Sequence, residues 1–278
     1  MRLTALIENK APGHLNREHG LAVHIEYNKK QYLLDTGASN HFQHNAGKLG
    51  INLKNIDAAA LSHCHYDHAG GYDGFFSENS KAKVYLQGAA RELYYSKLGL
   101  LKKYIGMPRG LLDTYRDRFV FVDGDYQIDD GVWLISHKTM GLAARGKKAH
   151  MVRKTDHGFV ADDFQHEQSL VFEAANGLVI LNSCCHAGVD NIIKEVMDMF
   201  PGKEVLAIIG GFHLMGMIGT RSMSGKPEAV SALGQRLVDL NVKHLYTGHC
   251  TGNPAYKLLK EQLGERLQYF STGTIVEL

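Results

Sequence analysis

Leu61-Ser62-His63-Cys64-His65-Tyr66-Asp67-His68-Ala69-Gly70-Gly71 gathers three imidazoles and a carboxylate into six consecutive residues, His63 to His68. The apolar run Ala58-Ala59-Ala60-Leu61 precedes it and reads as a buried strand that ends in a loop. Borderline nitrogen donors mixed with a hard oxygen suit zinc, manganese or iron better than calcium or magnesium. His63 and His65 are two residues apart, so on extended backbone they project to one side and can share an ion. Asp67 and His68 follow where the chain turns, within reach of a second ion.

Further apolar runs end in the same way. Leu178 to Ser183 leads into Cys184-Cys185-His186-Ala187-Gly188, and Val205 to Ile209 leads into Gly210-Gly211-Phe212-His213-Leu214. His244 to Thr247 leads into Gly248-His249-Cys250-Thr251-Gly252, and Tyr32-Leu33-Leu34 leads into Asp35-Thr36-Gly37. Together these five ordered motifs resemble the metallo-β-lactamase superfamily over roughly residues 3 to 278. Within it they are similar to the dihydropteroate-synthase-like branch, named for dihydropterin-methyl-(ribofuranosyl)aminobenzene-phosphate synthase.

The resemblance implies an α/β (α+β) fold, a four-layer αβ/βα sandwich with its site at the edge between two sheets. It also implies two divalent ions, zinc in first place with manganese or iron as alternatives. His63, His65 and His186 would hold one ion; Asp67, His68 and His249 would hold the other. His213 stands where many relatives carry a bridging Asp. A neutral imidazole cannot bridge two cations, so the second ion should bind less tightly, or His213 should face the substrate. Three protein ligands per ion leave room for water, whose pKa a divalent ion lowers to about 7. Asp67 and His213 are then the catalytic candidates, with Asp35 fixing a ligand or the loop backbone. The reaction expected is metal-dependent hydrolysis or group transfer through metal-bound hydroxide, on a small anionic substrate that is phosphorylated or pterin-like. A mononuclear iron oxygenase on the same fold is the alternative.

Composition agrees with one globular enzyme. The chain has 278 residues, 44% of them hydrophobic, and a net charge of +2. A single domain over 1–278 is expected, with 88–165 as an inserted basic segment or lid. Arg91 to Lys154 holds thirteen Lys/Arg against seven Asp/Glu, a net of +6 that leaves −4 for the rest. Arg145, Lys147 and Lys148 concentrate this charge and are candidate substrate contacts, as is His19. Near-neutral overall charge without a basic-aromatic motif argues against nucleic acid. No apolar run approaches the length of a membrane span, and Met1 to Glu8 does not read as a signal peptide, so a cytoplasmic protein is expected.

The four cysteines, Cys64, Cys184, Cys185 and Cys250, each lie beside a candidate ligand and are assigned structural roles. Alternation places Cys184 on the side of His186 and turns Cys64 away from His63 and His65. Strands are expected at 3–8, 21–27, 31–35, 57–62, 83–87, 132–136, 169–174, 178–183, 205–209, 244–247 and 268–277. Helices are expected at 88–104, 189–199, 227–240 and 254–264. The Leu/Tyr stripe of 88–104 reads as packing, with a homodimer face or a pocket wall as alternatives.

Overall fold

The computed structural model describes residues 1–216 and 219–278. Two seven-stranded sheets face each other. The first runs, edge to edge, Ile275–Glu277, Arg2–Ile7, Ala22–Tyr27, Lys30–Leu34, Ala58–Ala60, Lys83–Gln87 and Phe119–Val122. The second runs Leu267–Tyr269, His244–Thr247, Val205–Ile209, Gly177–Leu181, Gln168–Ala174, Val132–Ser136 and Tyr126–Asp129.

Leu3, Ala5, Val23, Ile25 and Leu34 pack between the sheets against Leu170, Phe172, Val179, Leu181 and Ile209. Helices cover the outer faces. Phe42, Tyr72 and Phe75 lie on the first sheet, and Ile192, Val196, Leu237 and Leu259 on the second. The expected αβ/βα sandwich is therefore the observed one. Covering both faces also explains why Ala22 and His24 are buried along with Leu21, Val23 and Ile25.

Parallel pairing decides where the site falls. Lys30–Leu34 pairs parallel with Ala58–Ala60, and Gly177–Leu181 with Val205–Ile209 and then His244–Thr247. Parallel strands deliver their C-terminal ends to one edge, where the loops carrying ligands gather. Gln168 ties the two sheets together at that edge. Its backbone N–H donates to Ser62 O (2.8 Å), and its side-chain amide donates to Leu61 O (2.9 Å) and Tyr85 O (3.0 Å).

The expected helix at 88–104 is a hairpin instead, Leu93–Leu98 paired antiparallel with Leu101–Tyr104. Gly99 takes a left-handed φ of 59°, which suits the two-residue turn and halts a helix. Tyr95 and Tyr104 face each other across the pair at a ring separation of 5.4 Å, so the aromatic stripe serves cross-strand contacts. The basic stretch 145–154 divides into the helix Leu142–Lys148 and the strand Met151–Thr155. The expected strand 268–277 divides too, because a turn at Ser271–Thr274 carries the chain from one sheet to the other.

Parts of 88–165 are built into the main sheets. Phe119–Val122, Tyr126–Asp129 and Val132–Ser136 belong to the two main sheets. The remaining pieces form a four-stranded sheet ordered Gly158–Ala161, Met151–Thr155, Leu93–Leu98, Leu101–Tyr104. Among the described residues, no helix is long and apolar enough to cross a membrane.

Gly210 begins one of the ligand loops at φ 146°, and a Cβ there would meet Asn182 O at 1.8 Å. Gly210→Ala should therefore cost roughly 2–3 kcal/mol as backbone shifts to relieve the clash. Gly13→Ala, with nothing within 4 Å, should be close to neutral in the same thermal unfolding assay. Equal melting temperatures for both variants would refute this account of the edge.

Candidate metal centre

Beyond Ala60 the chain leaves the sheet, and Asp35 on the neighbouring strand end captures it. Ser62 N–H donates to Asp35 Oδ1 at 2.7 Å, and Ser62 Oγ–H donates to Oδ2 at 2.6 Å. That uses the single hydroxyl proton. His63 Nδ1, 2.9 Å from Ser62 Oγ, must then be the donor in its bond, which leaves Nε2 with a lone pair.

His63 Nε2, His65 Nε2 and both ring nitrogens of His186 are buried without a hydrogen-bond partner. The three rings lie 4.7 to 5.1 Å apart, and one ring nitrogen from each falls within 4.8 Å of the other two. Burial first, and then repulsion from neighbouring imidazoles (His166 for His65, His68 for His63, His213 for His186), pushes His65 down to about 3 and holds His63 and His186 well below the ordinary range. Neutral imidazoles converging with free lone pairs form a donor set that fits a divalent ion.

Next to it lies a second cluster. Asp67 Oδ2 is 3.5 Å from His68 Nε2, 3.5 Å from His249 Nε2 and 3.3 Å from His19 Nε2. The two Nε2 atoms of His68 and His249 are 3.2 Å apart. Bonds of 2.0–2.1 Å to a tetrahedral zinc put its ligand atoms about 3.4 Å apart, so this triangle has the right edge. Each imidazole is oriented from behind. His68 Nδ1 donates to Asp35 Oδ2 at 2.9 Å, and His249 Nδ1 donates to Asn9 Oδ1 at 3.1 Å.

Burial would raise the Asp67 carboxyl, but His68 and His249 more than reverse this and hold it well below the carboxylate range. Burial likewise disfavours charge on His68, yet Asp67 and Asp35 together push it up to about 10. His249 is pushed down to about 3 by burial. His68 thus carries the proton in the Nε2–Nε2 contact, at the place a cation would take.

Two further buried acids do for the other ligand loops what Asp35 does for the first. Glu167 accepts the backbone N–H groups of His186 (2.7 Å) and Ala187 (2.9 Å). Glu8 accepts those of His249 and of Lys10 (2.7 Å), along with the Tyr269 hydroxyl (3.1 Å). Burial raises both carboxyls despite these bonds. Neither acid was a site candidate by sequence, although each is an isolated Glu against an apolar strand, in Leu6-Ile7-Glu8 and Glu167-Gln168-Ser169-Leu170. The ligand loops and that of His213 are strained: Asp35, Cys185, His213 and His249 have φ of 59°, 48°, 49° and 46°.

The remaining candidates divide. His213 packs its ring 4.2 Å from that of His186, and burial pushes it down to about 4. Arg145 lies against Gly188, where a Cβ would meet Nη2 at 2.7 Å, so its guanidinium borders the His186 loop. Lys147 and Lys148 are exposed on the same helix, and no contact ties them to the clusters. His166 is nearer the site than its sequence context suggests. It is buried, its ring 5.3 Å from that of His65, with Nε2 donating to Asp162 Oδ2 at 3.2 Å.

Cys64 shares an apolar cluster with Tyr94, and Cys185 lies in the core under the second sheet. Cys184 Sγ is 3.4 Å from His68 Nε2, and Cys250 Sγ accepts the His213 N–H at 3.3 Å. All four are free thiols.

Comparison with known proteins gives the family. The chain is 28% identical over 280 residues to the 7,8-dihydropterin-6-methyl-4-(beta-D-ribofuranosyl)-aminobenzene-5'-phosphate synthase of Methanocaldococcus jannaschii, covering 94% of this chain and 90% of that one. A crystal structure described as a metal-dependent hydrolase of the beta-lactamase superfamily superposes with a TM-score of 0.83 at 26% identity, over 100% of this chain and 99% of the other. A diphosphatase of the PhnP family shares the fold, with a TM-score of 0.55 and 16% identity over 100% and 97% of the two chains. The family pattern of the metallo-beta-lactamase superfamily matches residues 15–160, more than half of the sequence. The chain belongs to the metallo-beta-lactamase superfamily.

Proposed function

We propose that this chain is a metal-dependent hydrolase or group-transfer enzyme acting on a small anionic substrate, phosphorylated or pterin-like. One observation carries the reading: the buried, unpartnered ring nitrogens of His63, His65 and His186 converge within 4.8 Å. Leaving such groups unsatisfied costs about 1–3 kcal/mol each, so a protein that assembles several together has a use for them. His63, His65 and His186 would hold one ion, and Asp67, His68 and His249 a second. Zinc suits the donor set first, and manganese or iron next. When bound, such an ion lowers the pKa of a coordinated water to about 7 and polarises a phosphoryl or carbonyl oxygen.

The chain's own groups then divide the work. Asp67 stays ionised and can accept or orient a proton beside both clusters. His213, neutral at physiological pH, presents a ring nitrogen to whatever sits against His186. Arg145, beside Gly188, offers an anion a charged partner at the rim, and His19 stands against Asp67. The phosphate in the name of the methanogen synthase supports an anionic substrate for this chain as well.

Metal content of protein purified without added metal, followed by a screen of phosphate esters and pterin analogues, tests the proposal. His63→Ala should lose the tighter ion, while Asp67→Ala and His249→Ala should mainly deplete the second. Full metal content in all three variants would show that these residues hold no ion. A metal-loaded protein that turns over no phosphate ester and no pterin analogue would refute the substrate class.

Acid should destabilise the chelated protein for a related reason. His65 and His249 sit at about 3 and His213 at about 4 in the folded chain, against about 6.5 when unfolded. Between these values the unfolded state binds more protons, so stability is lost progressively as pH falls below about 6.5. His68, raised to about 10, contributes a constant amount below 6.5 and does not offset the loss. The chelated protein should melt several degrees lower at pH 5 than at pH 7. An unchanged melting temperature would contradict the picture of neutral buried imidazoles.

A further inference from the structure

Cys184 lies three residues beyond the buried strand Gly177–Leu181 and is 3% exposed. Its Sγ is 3.4 Å from His68 Nε2, and it falls within 4.8 Å of a ligand atom on each of His63, His68 and His249. Because His68 Nδ1 is committed to Asp35, Nε2 is the atom left for this neighbourhood. Around it stand His249 Nε2 at 3.2 Å, Cys184 Sγ at 3.4 Å and Asp67 Oδ2 at 3.5 Å. These three spacings from His68 Nε2 match edges of a tetrahedral site with bonds of 2.0–2.1 Å to nitrogen or oxygen and about 2.3 Å to sulfur. His63 also has a ligand atom within this limit of His68 and Cys184, so the two clusters adjoin at the thiol.

The geometry points to Cys184 as a thiolate ligand of the second ion, completing Asp67, His68 and His249 to a set of four. This inference rests on the metal-enzyme reading above. On binding, the S–H bond is exchanged for a metal–sulfur bond, and the proton leaves to solvent.

Two consequences follow from the assignment. His213 brings no negative charge to the centre, and the thiolate supplies one. Four protein ligands also close the second ion, whereas His63, His65 and His186 leave the first with an open position. Closed sites hold and polarise, while open ones admit substrate, so the reacting group belongs at the first ion. Cys250 also lies within 4.8 Å of Cys184 and His249, while Cys64 and Cys185 are engaged elsewhere. Cys250 Sγ accepts the His213 N–H, Cys185 packs in the second-sheet core, and Cys64 lies with Tyr94.

Titration of the chelated full-length protein with Co2+ alone tests this, following the near-ultraviolet absorbance of thiolate-to-cobalt charge transfer. The wild type should bind two equivalents, with the band rising during the second. Cys184→Ser should still bind the first equivalent and lose the band, while Cys250→Ser keeps it. If Cys184→Ser does not fold, persistence of the band in Cys64→Ser, Cys185→Ser and Cys250→Ser assigns it to the one thiol left. Two equivalents bound by the wild type without a band would overturn this inference and leave the metal-enzyme reading standing. A band undiminished in Cys184→Ser would also overturn it. Failure to bind any cobalt would remove that reading and this inference together.

Discussion

Backbone N–H groups accepted by three buried carboxylates decide where the histidines of this protein stand. Asp35 takes Ser62 N–H, Glu167 takes those of His186 and Ala187, and Glu8 takes that of His249. Each acid sits at or beside a strand end, so the rigidity of the sheets passes directly to a ligand loop. A carboxylate with two oxygens can anchor a loop and orient a ring at once. Asp35 does both, holding Ser62 and, through Oδ2, His68 Nδ1. Ligands positioned in this way need little rearrangement to bind an ion, which is what preorganised metal chemistry requires.

The same arrangement explains how so many titratable groups can be buried together. If His63, His65 and His186 were all charged, their repulsion in a dry interior would be prohibitive, and burial keeps them neutral. Next to them, His68 holds a proton because Asp67 and Asp35 flank it. The structure therefore already contains one positive centre among carboxylates and one cluster of bare lone pairs. Left-handed backbone at Asp35, Cys185, His213 and His249 shows that the surrounding sheets hold these loops in unfavourable conformations, as functional sites often require.

Much of this was legible in the sequence. Strands 83–87, 132–136, 205–209 and 244–247 and the helix 189–199 fall where apolar periodicity places them. His63, His65, Asp67, His68, His186 and His249 come together from three separate strand ends, which the ordered motifs anticipate. The failures have physical causes. Residues 88–104 carry a helix-like Leu/Tyr stripe, but Gly99 and the cross-strand partner Met151–Thr155 override it. Glu8 and Glu167 escaped notice because an acid's role as a backbone acceptor depends on which loop folds over it, and that is set by tertiary packing. Alternation turns Cys184 toward His186, but its approach to His68, a ring packed from the opposite sheet, is set by tertiary packing that spacing does not reveal.

The central claim is that the strand-end loops hold His63, His65 and His186 ready for a divalent ion. A crystal structure of the protein as purified, with diffraction collected on either side of the zinc, iron and manganese absorption edges, tests it most directly. The account predicts an anomalous peak within bonding distance, about 2.0–2.1 Å for zinc, of one ring nitrogen from each of the three histidines. Asp35 and Glu167 should keep the hydrogen bonds described here. Rings turned apart, or bridged by water alone in protein shown to contain metal, would contradict it.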